Sequence, residues 1–574
     1  MNSVLILRLP PPSPSHSDSI EDALQDLWPD EWRRLREREA AALRKHIQFA
    51  HAWRLDMPLR EHEHPRVDHV FLIIDDVFPF SELRVCAPQT DGQLAEPWPH
   101  VEKFGMLCLT RRSLDLPIRD RVRLSVADAA EVLGMDEAMR KQEFQREALS
   151  YWQHESTNVL PWRALFRPSG ASRIVFYARH QRTLVFAEAA EQLSSWLSHS
   201  GVSDTPKLSR AWLAMLDEPL VPADYPATGR NVLELVGREN IVPLLDPPHC
   251  FPVLLGMQTD TGAVFGGVFL HCPPKKETWK GFRTNRRLPN ARVEACYAGQ
   301  RVDRVRILRV DPSWIHGRDH DRAAPLLAEK TVALIGCGAL GGELARLLAQ
   351  SGVGSFVLVD DDVLLPENTS RHLLGAADTG CNKADAVARR LERDFPHIRE
   401  ACPFGRRFEL LSDDQLARID AADLVVTAGL FLPSDIRVNE WRKRAGTKWP
   451  WLTTWTEELA CAGHAALLVG DADLMDLFDD AGKPTWAMTS GWPPSVGTIT
   501  EPGCGNVFQP YGATDMLSTI GLAARLALDS LLGRCVAPTY RVWLGDRTRV
   551  TGAGAALSRE FDTSMAERTI PWPQ

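Results

Sequence analysis

Residues 331–361 read TVALIGCGALGGELARLLAQSGVGSFVLVDD, and they decide the fold of the carboxy-terminal half. Thr331 to Ile335 is a short apolar run with strand character. Gly336-Cys337-Gly338-Ala339-Leu340-Gly341-Gly342 is a glycine-rich turn, Glu343 to Gln350 has the composition of a helix, and Phe356 to Asp360 is a second strand. Strand, turn, helix, strand is a βαβ unit, which predicts a parallel sheet with a ligand at the carboxyl ends of its strands. Gly336, Gly338 and Gly341 allow the tight turn and bring backbone N–H groups close to phosphate oxygens. A turn that needs glycine only for close packing shares this spacing. Working outward, further strands are expected at Leu424 to Ala428, Trp451 to Trp455 and His464 to Val469, and an apolar helix at Met516 to Leu532 packs on the sheet.

Asp360 ends the second strand, where a carboxylate accepts hydrogen bonds from a ribose in NAD and ATP sites alike. The continuation separates the two: Asp360-Asp361-Asp362, then Asn368, Arg371 and Lys383, the last preceded by Gly380. A dehydrogenase has no use for Asn, Arg and Lys just past its ribose acid. In this register residues 325–535 resemble the ThiF/MoeB/ubiquitin-activating family, in which these positions bind the ribose and triphosphate while a protein carboxy terminus attacks the α-phosphate. The resemblance implies ATP and Mg²⁺ as cofactors, and a homodimer. Arg371 and Lys383 would offset the charge that builds on departing pyrophosphate. The chain departs from the family where a magnesium-binding Asp usually follows the third strand, since Thr427-Ala428-Gly429-Leu430-Phe431 has none. Asp362 and Asp435 are the alternatives.

Eleven cysteines lie at wide spacings with no C-x-x-C pair, which fits reduced thiols in a cytosol rather than a disulfide framework or a four-thiolate zinc site. Two stand out. Cys108 lies in Phe104-Gly105-Met106-Leu107-Cys108-Leu109, preceded by Phe78-Pro79-Phe80 and by Pro97-Trp98-Pro99-His100. Residues 20–155 thereby resemble ubiquitin-conjugating enzymes, with Cys108 at the thioester position and His100 where the family has Asn. An imidazole there can donate one hydrogen bond, act as a base, or only brace its loop. Cys504, in Glu501-Pro502-Gly503-Cys504-Gly505-Asn506, has flexible glycines on both sides, and the resemblance implies an activating thiol on such a loop. Cys461 and Cys337 read as packed cysteines.

A chain of 574 residues, 44% hydrophobic and 25% charged, has room for three to four domains. The expected division is a flexible amino terminus at 1–18, a conjugating-like α+β domain at 19–155, a central α+β module at 156–310 and a Rossmann-like adenylation domain at 311–574. In the second of these, an amphipathic helix is expected over Glu31 to Phe49, strands at His69 to Ile74 and Leu83 to Cys86, and a long helix from Val126 to Trp152 interrupted near Gly134. The central module shows strand-like runs at Arg173 to Tyr177, Thr183 to Phe186, Val253 to Met257 and Gly262 to Leu270, and no chemical motif. A net charge of −9 without a basic stripe argues against a nucleic-acid partner. No apolar run approaches the roughly 20 residues of a membrane span, so a soluble cytoplasmic protein is expected.

Together these readings imply a relay: adenylation of a protein carboxy terminus, a thioester on Cys504, transfer to Cys108, and delivery to a target amine. The order of the halves resembles bacterial fusion enzymes of CBASS antiphage systems, which implies a cyclic-nucleotide synthase as the activated protein. A ubiquitin-like protein of a related operon is the alternative. The rivals are an NAD-dependent oxidoreductase and a nucleotide-binding scaffold without chemistry.

Overall fold

The computed structural model describes residues 14–56, 67–87, 97–110, 115–156, 160–202, 207–283, 287–446, 449–480, 482–497, 499–500, 507–558 and 567–572. Contacts divide the chain into two compact units. The first comprises Met1–Val159, Pro168–Ser172 and Leu213–Arg306, and the second Leu160–Arg167, Arg173–Trp212 and Ile307–Gln574.

In the first unit, α1 (Pro14–Leu27) precedes a four-stranded antiparallel meander of β1 (Trp32–Arg34), β2 (His51–Asp56), β3 (His69–Ile74) and β4 (Arg84–Cys86), with α2 (Glu37–Arg44) between β1 and β2. Strand alternation sorts the side chains. Leu72, Ile74 and Val85 join Trp53 and Leu55 under α1 and α3 (Ile118–Leu133), where Ile20, Leu24, Val122, Val126 and Ala129 pack on them. Ile73 and Cys86 face the other way, with Leu43 of α2. The start of this unit differs from the sequence expectation. Instead of one helix over Glu31 to Phe49, Trp32 pairs with Leu55 in a strand and only Glu37–Arg44 is helical. The opening helix is α1, which begins at Pro14, inside the segment 1–18 expected to be flexible. Cross-strand pairing satisfies backbone groups that helical periodicity alone left unassigned, and tertiary context overrides propensity there. The long helix is broken as expected at Gly134 and also at Glu147, giving α4 (Glu137–Arg146) and α5 (Ala148–His154).

The central segment carries β5 (Trp162–Ala164), β6 (Arg173–His180), β7 (Thr183–Ala187), α6 (Ala190–His199), β8 (Ser209–Met215), β9 (Phe251–Thr259), β10 (Gly262–Leu270) and β11 (Val302–Arg309). Within the first unit β9 and β10 form a nine-pair antiparallel hairpin. Gly266 of β10 leaves room for the indole of Trp152, since a Cβ there would come within 2.8 Å of it, and Trp152 donates its ring N–H to the Val305 carbonyl at 3.0 Å. Within the second unit Leu193 and Leu197 of α6 pack on Val185 and Ala187 of β7.

The second unit also contains an eight-stranded sheet. In sheet order it runs β14 (Glu400–Phe404), β13 (Ser355–Val359), β12 (Thr331–Ile335), β15 (Leu424–Ala428), β16 (Trp451–Thr456), β17 (Ala462–Leu468), then Thr539–Leu544 and Glu567–Ile570. The first five strands are parallel. Val332, Leu334, Leu358 and Val426 face the helices Ala339–Gln350, Lys383–Asp394 and Ala513–Leu531. Ala333, Ile335, Val357 and Val425 face Asp413–Asp420 and Leu432–Ala445. Helices on both faces make this a doubly wound α/β fold, as the βαβ reading predicts. The chain leaves β12 in opposite directions toward β13 and β15, and a crevice opens at such a reversal.

Candidate functional site

Ligand pockets span roughly 300–1,000 Å³, and the cavity at the carboxyl ends of β12, β13 and β15 measures ≈ 480 Å³. Its walls include Gly336, Gly338, Asp360, Asp362, Asn368, Arg371 and Lys383, so the nucleotide-site residues singled out in the sequence come together there except Gly341, which packs behind the turn against the Gly336 carbonyl. Gly336 turns with φ +92°, and a Cβ on Gly341 would stand 1.8 Å from the Gly336 carbonyl oxygen. These two glycines let helix Ala339–Gln350 begin directly against the strand end, with its first N–H groups toward the crevice.

Asp360 accepts hydrogen bonds from the N–H of Cys337 at 2.6 Å and of Asp362 at 2.8 Å. Burial pushes its carboxyl above the ordinary range, and those two bonds only partly offset it. Lys383 reaches Asp362 at 2.9 Å from the first turn of its helix, which Asn382 caps. The Asn382 amide also donates to the carbonyls of Asp360 at 2.9 Å and Asp362 at 3.3 Å, so one side chain ties the helix start to the acidic turn. Arg371 donates to the Gln509 carbonyl at 3.2 Å and lies 4.8 Å over the Tyr511 ring. Asn368 accepts from the Leu365 N–H at 3.1 Å, which shapes its own turn.

Sequence reasoning missed several members of this site. His372 is buried and bonds the Cys337 carbonyl through Nε2 at 2.7 Å while Nδ1 accepts from the Leu374 N–H at 3.0 Å. Those partners require a neutral ring, and burial lowers its affinity for a second proton. His372 thus props the glycine turn from beneath. Arg406, Arg407, Glu409 and Tyr511 also line the cavity. They lie on segments far from the glycine turn in sequence, and no local spacing marks them.

Of the two candidate metal carboxylates, Asp435 is corrected. It is buried behind β15, where the hydroxyls of Thr427 and Thr453 donate to it at 2.5 and 3.4 Å, and it does not line the cavity. The helix that carries Asp435 turns it inward under the sheet, which spacing alone did not reveal. Burial raises its pKa to about 6. The folded state therefore holds a proton that the unfolded chain releases near pH 4, and stability falls as pH rises from about 4 to 6. Asp435→Asn is expected to raise stability above pH 6 by up to about 3 kcal/mol and to change little at pH 3.5, read from thermal midpoints at the two pH values. Asp360, Asp361 and Asp362 are close enough together to share a cation, and Asp361 and Asp362 are its exposed members, both lining the cavity.

The first unit holds a different constellation. Leu107 bridges Val101, the Cys108 N–H donates to the His100 carbonyl at 2.7 Å, and the Glu102 N–H donates to Met106 at 2.7 Å. This isolated antiparallel bridge sets the backbones of His100 and Cys108 opposite each other, and Cys108 lies within electrostatic range of Tyr151, whose hydroxyl accepts from the His100 N–H. Leu107 and Trp98 are buried beneath it, the latter donating to the Val132 carbonyl at 2.7 Å. Among the ten described cysteines, Cys108 alone is exposed. Burial drives Cys86 and Cys461 up to about 12 and raises Cys337 well above its ordinary value, so these three behave as packed thiols. Cys504 and its glycine loop lie outside the described residues.

Comparison with known proteins adds to this geometry. Residues 321–468 match the ThiF family. The chain is similar to the ATP-dependent ubiquitin transferase-like protein Cap2 of Pseudomonas aeruginosa, 28% identical over 44% of this chain and 45% of that one. It is also similar to the protein of that name from Escherichia coli, 25% identical over 55% of this chain and 60% of that one. The match thus spans about half the length of these curated relatives. Among solved structures it is similar to Escherichia coli MccB, 16% identical, covering 39% of this chain and 63% of that one with a TM-score of 0.30. The carboxy-terminal part carries a ThiF domain, and the ThiF resemblance read from Asp360, Asn368, Arg371 and Lys383 is borne out.

Proposed function

We propose that this chain, through the segment that matches the ThiF family, activates the carboxy terminus of a partner protein with ATP and conjugates it to a target amine in bacterial antiphage defence of the CBASS kind. The observation that carries the reading is the gathering of Gly336, Gly338, Asp360, Arg371 and Lys383 around one crevice within the segment that matches the ThiF family. The resemblance to relatives named as ubiquitin transferase-like supports the conjugating half.

In this reading the glycine turn cradles the phosphates and Asp360 holds the ribose. A carboxylate oxygen of the partner attacks the α-phosphorus, the bond to pyrophosphate breaks, and Arg371 and Lys383 neutralise the leaving charge. Asp362 would hold Mg²⁺, which supplies further neutralisation of the phosphate oxygens when bound. The Cys504 thiolate then attacks the acyl adenylate and releases AMP. Thioester exchange moves the acyl group to Cys108, and an amine takes it from there. The partner carboxy terminus belongs to a cyclic-nucleotide synthase, with a ubiquitin-like protein as the alternative. The enzyme acts as a cytoplasmic homodimer with domains at 19–155, 156–310 and 311–574. Among the described residues no helix is long and apolar enough to cross a membrane.

A second reading, a nucleotide-binding scaffold without chemistry, is favoured by one observation: Leu430 and Phe431, not a carboxylate, follow β15 in the cavity wall. Isotope exchange between pyrophosphate and ATP separates the two. Exchange that depends on a candidate partner is expected, and its absence with that partner present sinks the ligase reading. In the active protein, Cys504→Ala should retain exchange and lose all thiol-sensitive adducts, whereas Cys108→Ala should keep the adduct on Cys504. Intact-mass measurement with and without reductant checks both.

A further inference from the structure

We infer that Glu143 and Glu147 position His100 as the general base that deprotonates the acceptor amine at Cys108, an inference that rests on the reading of Cys108 as a thioester site. Glu143, Glu147 and Tyr151 recur every four residues and so lie along one side of the α4–α5 segment. All three meet His100. Its Nε2 lies 3.2 Å from Glu143, its Nδ1 lies 3.6 Å from Glu147, and its backbone N–H donates to the Tyr151 hydroxyl at 2.8 Å. His100 itself sits at φ +57°, a left-handed conformation that a non-glycine residue adopts only when its surroundings hold it there. Three contacts from one helical segment, two to the ring and one to the backbone, therefore hold His100 on the turn residue opposite the exposed cysteine.

The identity of the partners assigns the protons. Burial raises the Glu143 carboxyl, but hydrogen bonds from Arg146 and His100 outweigh that and leave it below its ordinary range. An ionised carboxylate can only accept, so Nε2 must carry the hydrogen. In the neutral ring the lone pair is then on Nδ1, the nitrogen that faces Glu147. A carboxylate hydrogen-bonded at Nε2, with the second carboxylate 3.6 Å from Nδ1 and outside hydrogen-bond reach, leaves Nδ1 its lone pair and orients the ring as a base. Glu147 is placed to stabilise the imidazolium once Nδ1 has gained a proton. Arg146 donates to Glu143 at 2.6 and 2.9 Å and lies 3.4 Å from Glu147, so the two carboxylates already have a cation. Tyr151, pushed by burial up to about 12, stays a neutral hydroxyl. The charged or titratable groups around the ring are thus Glu143, Glu147, Arg146, Tyr151 and Cys108.

The step balances as follows. The acceptor's free amine attacks the thioester carbon and a C–N bond forms. The C–S bond breaks and its electron pair goes to Cys108 Sγ. The amine proton passes to Nδ1 of His100 and from there to the departing thiolate. Glu143 and Glu147 touch neither substrate and act by holding the ring.

The test needs no identified partner. In a Cys504→Ala background, the full chain is incubated with the N-acetylglycyl thioester of mercaptoethanesulfonate, loading at Cys108 is read by peptide mass, and discharge into free lysine is timed across pH. His100→Gly suits the left-handed backbone and removes only the ring. It should load normally, discharge about 100-fold more slowly, and recover with added imidazole. Glu143→Gln should load normally and discharge about tenfold more slowly with an altered pH profile, and Glu143→Asp should restore much of the rate. Normal loading with wild-type discharge in both His100→Gly and Glu143→Gln overturns the inference while leaving the thioester reading intact. Failure of the parent protein to load at Cys108 overturns that reading itself.

Discussion

Gly341→Ala abolishes ATP–pyrophosphate exchange and lowers stability by about 3 kcal/mol or more, because the added methyl carbon cannot coexist with the turn. The Cβ would stand 1.8 Å from the Gly336 carbonyl oxygen and 3.0 Å from its carbon, and both are backbone atoms that no side-chain rotation can move. Relief requires helix Ala339–Gln350 to shift away from β12, and Leu340, Leu344 and Leu348 of that helix belong to the core on that face of the sheet. Gly338→Ala is the matched comparison, since a Cβ there meets nothing within 4 Å while the residue lines the cavity. It should melt with the parent protein and bind ATP more weakly if phosphates approach the backbone at that point. Calorimetric melting and nucleotide titration of the two variants separate a glycine required by the fold from one required by the ligand. A Gly341→Ala protein with parental melting and exchange would show that this turn is not packed as described.

Lys383→Ala should reduce exchange by about 10² to 10³-fold with little change in melting temperature. Its ammonium pairs with Asp362, whose side chain is 68% exposed, so removing the pair leaves no buried charge behind. Any large loss of rate then reports on charge that develops during the reaction rather than on folding. Asp362→Asn separates a second role: if this carboxylate holds the metal, half-maximal exchange should require about tenfold more Mg²⁺. Equal magnesium dependence in the two proteins would remove Asp362 from the metal site. Because Asp435 is committed to Thr427 and Thr453 beneath the sheet, it offers no substitute.

The second unit was the more legible of the two because its chemistry is local. Thr331–Ile335 and Leu424–Ala428 are strands with the bounds read from sequence. The run from Asp360 to Lys383 keeps its ribose, phosphate and metal candidates within one short stretch of chain, where spacing has physical meaning. Arg406, Arg407 and Tyr511 reach the same cavity from β14 and from the segment before helix Ala513–Leu531, and parallel strand order alone brings them there. The first unit was less legible at its start. Trp32, Leu35, Leu43 and Ile47 read as one helical stripe, but Trp32 pairs across to Leu55.

At Cys108 the sequence singled out the cysteine and His100 from a short motif, and stopped at three roles for the imidazole. The groups on which the inference of a base rests, Glu143, Glu147 and Tyr151, lie some forty to fifty residues downstream and approach His100 only when α4 and α5 fold back. Local spacing by itself determined the βαβ turn, the acidic and basic groups around it and the identity of the exposed thiol, since backbone geometry converts short intervals directly into neighbours. Which carboxylate faces the cavity, which is buried, and which nitrogen of His100 holds the proton were decided by packing, since each depends on groups that only the folded chain brings within a hydrogen bond.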